Sequence, residues 1–186
     1  MRIIALLISF IVIAATSWAQ EDPNGFVSKG NSLYKEGKFD EAEVEYRKAQ
    51  EVEANPFVTQ FNLGDAMYKQ EKYEEATELF RTSAGLAKDK EDKAAALHNM
   101  ANSLMKKEKY QESVDAYKQS LKLNPKDKDT KYNYAYAKRM LQQEQEQEQQ
   151  EDQNKDEEKK DEEKDQEQKN QEKKDEEQKK DQEQKQ

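Results

Sequence analysis

A segment of about 34 residues is written three times in this chain, and that repetition restricts the fold more than any single residue does. Gly30-Asn31-Ser32-Leu33-Tyr34, with Gly37, Phe39, Ala42, Tyr46 and Ala49, returns as Leu63-Gly64-Asp65-Ala66-Met67-Tyr68 with Tyr73, Ala76 and Phe80. It returns again as Met100-Ala101-Asn102-Ser103-Leu104 with Tyr110, Ser113, Tyr117, Ser120 and Pro125. The second copy begins 34 residues after the first and the third 37 after the second, which places about three extra residues near Lys90 to Lys93. Units of this length bury too little surface alone and must stack on their neighbours.

Each copy carries two helical patterns separated by a short break. The spacing predicts helices at about 24–36, 40–53, 57–70, 74–87, 91–107 and 111–123. Gly37 stands where the first helix should end, because glycine takes left-handed backbone angles at little cost. Glu71 and Glu108 occupy the same place in the later copies. Pro56 and Pro125 fall where the chain must leave a helix. Counted from residues 23, 57 and 94, small residues recur at positions 8 and 20 and aromatics at positions 17 and 24. Small residues let two helices approach; aromatics fill the space beside them.

That pattern resembles the tetratricopeptide repeat over residues 23 to about 141. The resemblance implies an all-α fold, an α-solenoid of three helical hairpins (about 23–56, 57–90 and 94–127). A seventh helix, about 129–141, keeps the repeat frame, with Asn133 at position 6 and Ala135 at position 8, but no partner helix follows. A stack of repeats needs a cover for its last apolar face, so this helix is expected to be a cap. Its Tyr132, Tyr134 and Tyr136 are expected to pack that cap rather than form a binding patch.

Composition divides the chain further. Residues 1–19 hold 15 of the 61 hydrophobic residues, residues 20–141 the other 46, and residues 142–186 none. Only residues 20–141 can therefore bury a core. The tail, 142–186, has 10 lysines against 19 carboxylates and so carries the whole net charge of −9. It is expected to be disordered or an extension of the cap helix that fades outward, since Glu, Gln and Lys favour helix but bury nothing. Arg2, the apolar run Ile3 to Ala15, then Ser17 and Ala19 at the small-residue positions describe a signal peptide cleaved after Ala19. The expected location is the periplasm or envelope; an uncleaved inner-membrane anchor is the alternative.

Chemistry is sparse. There is no cysteine, and the one histidine, His98, has no second histidine beside it to build a metal site. No phosphate-binding glycine loop or nucleophile elbow occurs. With residues 1–141 electrically balanced, no basic stripe marks a nucleic-acid surface. The expected protein is not an enzyme and takes no cofactor, metal or small-molecule substrate.

In the architecture that the resemblance implies, positions 2, 5, 6, 9, 12 and 13 of each first helix line a concave groove. Position 6 reads Ser28, Asn62, Asn99 and Asn133; position 9 reads Asn31, Asp65, Asn102 and Tyr136. Position 12 reads Tyr34, Tyr68 and Met105, and position 13 reads Lys35, Lys69 and Lys106. An amide row can pair with the backbone of an extended peptide, because each amide both donates and accepts. Some tetratricopeptide domains grip a C-terminal carboxylate with a clamp of lysine, asparagine and arginine. Asn31 and Asn62 stand in its asparagine positions, whereas Val27, Ala95 and Asn99 stand where it needs basic residues, which argues against that ligand.

The whole layout is also similar to the BatC family of Bacteroides-type aerotolerance (Bat) operons. The resembling segments are Lys29 to Lys35, Ala42 to Ala49, His98 to Asn102, and Tyr132 to Ala135 leading into the glutamine-rich tail. That resemblance implies an envelope scaffold beside membrane-anchored von Willebrand A-type Bat proteins. A chaperone-like assembly factor that holds clients transiently is the alternative.

Overall fold

The computed structural model describes residues 23–183; the expected signal peptide at 1–19 lies outside them. Among the described residues there are seven α-helices and no strand: α1 (Pro23–Lys35), α2 (Phe39–Glu51), α3 (Pro56–Lys69), α4 (Tyr73–Leu86), α5 (Lys90–Lys106), α6 (Tyr110–Leu123) and α7 (Lys128–Glu183). Two compact units divide the chain, Met1–Leu86 with α1 to α4 and Ala87–Gln186 with α5 to α7.

The helix ends follow from local chemistry. Each first helix of a hairpin closes with a left-handed residue at position 15: Gly37 at φ 78°, Glu71 at 62° and Glu108 at 58°. The next amide then reaches back to the last turn, Lys38 to the Leu33 carbonyl, Lys72 to Met67 and Lys109 to Leu104, each at 3.0 Å. This Schellman closure satisfies carbonyls that the helix end leaves open. At the starts, the Asn55 side chain accepts from the Val58 amide at 3.3 Å ahead of Pro56. Asp89 accepts from the Asp92 amide at 2.8 Å. The extra residues near Lys90 go into α5, which has 17 residues against 14 in α3.

In the first unit the apolar seam is Ala42, Tyr46, Ala49, Leu63, Met67, Ala76 and Phe80, all essentially buried. Gly30 lies beneath the Tyr46 ring, where an added Cβ would stand 2.5 Å from a ring carbon. Gly64 lies beneath Phe80 in the same way, at 2.8 Å. Position 8 is small because position 24 occupies its side-chain space. Glu45 is buried beside this seam, with Lys29 and Lys48 each 3.0 Å from one carboxylate oxygen. Burial alone would raise that carboxyl, but the two ammonium groups outweigh it and hold it below the ordinary value.

In the second unit Leu97, Met100, Ala101, Leu104, Ala116 and Tyr117 form the corresponding seam, and α7 closes it with Thr130 and Ala137. Buried hydroxyls tie the hairpin: Ser113 donates to the Ala101 carbonyl at 2.9 Å and Ser120 to Ala94 at 2.8 Å.

Helix α7 runs on past residue 141 to Glu183, the extended-helix form that the sequence leaves open for the tail. No proline or glycine follows Pro125, so nothing in the sequence breaks a run of good helix formers. The cap tyrosines are not packed as a group: Tyr132 is 75% and Tyr136 43% exposed, while Tyr134 is half-buried. Thr130 and Ala137, at positions 3 and 10, are the buried positions of α7, and among the described residues no helix after α7 covers positions 5 and 9.

A left-handed glutamate carries strain that glycine lacks, partly offset by the greater chain entropy glycine loses on folding. Glu71→Gly and Glu108→Gly are therefore each expected to stabilise by about 0.5 kcal/mol. Gly30→Ala is expected to cost about 1–3 kcal/mol through overpacking against Tyr46. Urea denaturation of each variant measures all three.

Candidate functional site

The asparagines of α1 and α3 meet. Asn31 Oδ1 accepts the Tyr46 hydroxyl at 2.8 Å and the Asn62 amide at 2.9 Å. The second unit repeats this node 71 residues later in sequence: Asn102 Oδ1 accepts the Tyr117 hydroxyl and, at 3.1 Å, the Asn133 amide. Each node fixes the orientation of its amides, because a hydroxyl proton and an N–H both point at one oxygen. In the first unit Asn31 Nδ2 and Asn62 Oδ1 keep no hydrogen bond among the described residues. Asn31 Nδ2 is thus left as a donor and Asn62 Oδ1 as an acceptor.

Asn31, Tyr34, Lys35, Tyr46, Asn62 and Asp65 together line a cleft of about 210 Å³ in the first unit. Five of these six are residues that the sequence nominated. The sixth, Tyr46, was read only as a space-filler at position 24. Its signal was present: position 24 is Tyr46, Phe80, Tyr117, and only the tyrosines carry a hydroxyl. Burial, then the Asp65 charge and Tyr34, push the Tyr46 hydroxyl up to about 12. Burial and Asp65 also raise Tyr34. Both hydroxyls are therefore neutral donors at physiological pH, suited to hydrogen bonding rather than to nucleophilic work.

Tyr34 is held edge-on against Phe39 at 5.2 Å, and Tyr68 against Tyr73 at 5.3 Å. Burial and Tyr73 raise the Tyr68 hydroxyl. Tyr68 and Lys69 sit at the end of α3 and do not line the cleft. Lys35, Lys69 and Lys106 are exposed and form no ion pair among the described residues. Asn99 and Asn102 are half-buried on α5, and Asn133 is half-buried on α7. The cleft lining holds one ammonium, Lys35, and one carboxylate, Asp65. Positive charge is not concentrated there as capture of a carboxylate terminus would require.

His98 belongs to a different network. Its Nδ1 lies 2.6 Å from Thr130 Oγ1, which in turn lies 2.7 Å from an Asp127 oxygen. A carboxylate only accepts, so the Thr130 proton goes to Asp127 and His98 Nδ1–H donates to Thr130. Asp127 also takes the amides of Asp129 and Thr130 at 3.0 and 3.1 Å, capping α7. These bonds, the Thr130 hydroxyl first, hold the Asp127 carboxyl below its ordinary value. The His98 ring meets Tyr117 edge-on at 5.7 Å. In the first unit Thr59 stands where Thr130 does, but Val27 replaces His98, and Thr59 Oγ1 is buried without a partner.

Residues 24–56 and residues 54–126 both match the tetratricopeptide repeat. Residues 24–126 are tetratricopeptide repeats. Solved structures with this fold include the first tetratricopeptide domain of human RPAP3, 20% identical, with a TM-score of 0.62 over 68% of this chain and 98% of that one. The Sgt2 tetratricopeptide domain of Aspergillus fumigatus is 15% identical, with a TM-score of 0.61 over 67% of this chain and 82% of that one. The second tetratricopeptide domain of human RPAP3, solved with an HSP70 peptide, is 21% identical, with a TM-score of 0.57 over 63% of this chain and 98% of that one. No curated protein matches the chain in sequence.

Thr59 in these repeats and Thr130 on α7 make a matched test. Thr130→Val strips a partner from both His98 and Asp127 and is expected to cost about 2 kcal/mol, whereas Thr59→Val removes an orphan hydroxyl and is expected to be neutral or stabilising by up to about 1 kcal/mol. Thermal denaturation of the pair measures the contrast. Burial lowers the His98 pKa from 6.5, against the opposing charges of Asp127 and Asp129. The unfolded chain then binds more protons just below 6.5, so stability should fall as pH drops through that value. An NMR titration of this one imidazole is expected to show a midpoint below 6.5.

Proposed function

We propose that this protein is a non-enzymatic adaptor whose first-unit cleft holds an extended segment of a partner protein. The observation that carries this is the oriented pair Asn31 Nδ2 and Asn62 Oδ1, left open by the bonds to Asn31 Oδ1. A peptide backbone offers one carbonyl and one N–H to such a pair in any sequence. Tyr34 and Tyr46 add ring surface, and Lys35 with Asp65 add one charge of each sign. The domain of human RPAP3 with the same fold was solved with a bound HSP70 peptide, which supports peptide recognition as the use of this architecture.

The protein works outside the cytoplasm on this reading, exported by Arg2 and the apolar run Ile3 to Ala15 and cleaved after Ala19. Its likeness to the BatC family supports a scaffold role beside membrane-anchored von Willebrand A-type Bat proteins, linked to aerotolerance. A second reading, a periplasmic assembly factor that holds clients transiently, is favoured by one feature: amide pairing is indifferent to the client's side chains.

Crosslinking pull-down from the envelope separates these. The adaptor reading expects a stoichiometric, long-lived complex, lost by about tenfold or more in Asn62→Ala combined with Lys35→Glu. Many short-lived partners would favour the transient role, and undiminished capture by the double variant would reject the cleft.

A further inference from the structure

A cavity of about 330 Å³ opens where α2 turns into α3, and it shares no residue with the amide cleft. Small-ligand sites begin at about this size. Gln50, Glu53, Ala54, Pro56, Thr59 and Gln60 line it. Backbone bonds hold its walls: the Ala54 amide donates to the Ala49 carbonyl and the Thr59 amide to the Asn55 carbonyl, each at 2.9 Å.

Thr59 marks the place. It is 1% exposed, yet its Oγ1 has no hydrogen-bond partner, a condition that costs free energy and is uncommon in native folds. The second unit shows the satisfied form. There Thr130, at the same repeat position, meets an Asp127 carboxylate oxygen at 2.7 Å and His98 Nδ1 at 2.6 Å. In the first unit Pro56 and Val27 take the places of Asp127 and His98, and neither side chain donates or accepts. Gln50 and Gln60 stand where the second unit has Leu121 and Lys131. The internal partners are gone, and carboxamides border the cavity instead.

The lining sets the chemistry of a ligand. Two carboxamides and a hydroxyl each donate and accept, and the Glu53 carboxylate accepts. With no cation in the lining, an anion would meet only the charge of Glu53. A cation gains little from Glu53, which is exposed. One carboxylate is too few for a metal ion, and no metal-binding cluster occurs among the described residues. Pro56 and Ala54 supply an apolar wall for C–H groups.

We propose that this cavity binds a small neutral polyhydroxyl compound, a sugar or sugar alcohol, whose hydroxyls bond Thr59, Gln50, Gln60 and Glu53. Threonine in a helix has two side-chain rotamers open to it, so one rotation turns the Thr59 hydroxyl to the ligand. The site is independent of the amide cleft and of peptide binding there.

The test is an NMR titration of the full chain with glucose, mannitol and maltotriose, each to about 100 mM. At least one is expected to give saturable shifts confined to residues 50–60, with a Kd on the order of 1 mM. Preference for maltotriose would mark a glycan end as the source, and preference for the others a free solute. Thr59→Val should weaken binding about tenfold or more while the melting temperature holds or rises, which separates lost recognition from lost folding. Gln60→Leu should weaken it similarly. Absence of localised shifts with all three would leave water as the occupant and overturn the proposal. So would undiminished binding by Thr59→Val, or tighter binding of acetate, tetramethylammonium or a capped Gly-Ser-Gly peptide in the same place.

Discussion

A ring laid across a missing side chain is the contact on which the rest of each hairpin depends. Because Gly30 has no Cβ, the Tyr46 ring settles directly over the α1 backbone. That closeness sets the spacing of α1 and α2, and it also delivers the Tyr46 hydroxyl to Asn31, the very next residue. Packing and the polar node are therefore one event seen from two sides. Gly64 and Phe80 repeat the packing without a hydroxyl, while Tyr117 brings its hydroxyl to Asn102 with alanine at position 8. A change at position 8 or 24 disturbs the core and the exposed amides together.

The repeat period and the positions of small and aromatic residues were legible in the chain, and the ends of α1 to α6 lie within a residue or two of the spacing-based expectation. Both follow from steric rules that act locally. The closing residues were harder to read, because Glu71 and Glu108 adopt backbone angles that composition assigns to glycine; the Schellman hydrogen bonds hold them there. The bonded nodes were not legible. A row of asparagines looks like a free recognition surface until tertiary contact brings Asn62 onto Asn31. The bond from His98 to Thr130 was equally hidden, since 32 residues separate the two in sequence. The tail was ambiguous for a different reason: helix propensity says which conformation suits it, but nothing in it records a burial that would demand one.

Charge is arranged by region rather than by balance. Glu45 is wrapped by two lysines inside the first unit, and Asp127 is consumed in capping α7. The carboxylates within the fold are thus committed to structure where they are buried. Lys35, Lys69 and Lys106, by contrast, stand exposed and unpaired among the described residues. Partner recognition of the kind proposed draws on this uncommitted set, and the hydroxyls and amides beside it keep one protonation state at physiological pH.

The length of α7 has a mechanical meaning. Its first turns pack on α6, with Thr130 bonded to His98 of α5 and Ala137 buried, and the same helix continues through residue 183. At 1.5 Å per residue, 56 residues measure about 84 Å. With no glycine or proline along it, α7 would pass a pull or twist at its far end to the turns where Asn133 meets Asn102 of the last hairpin.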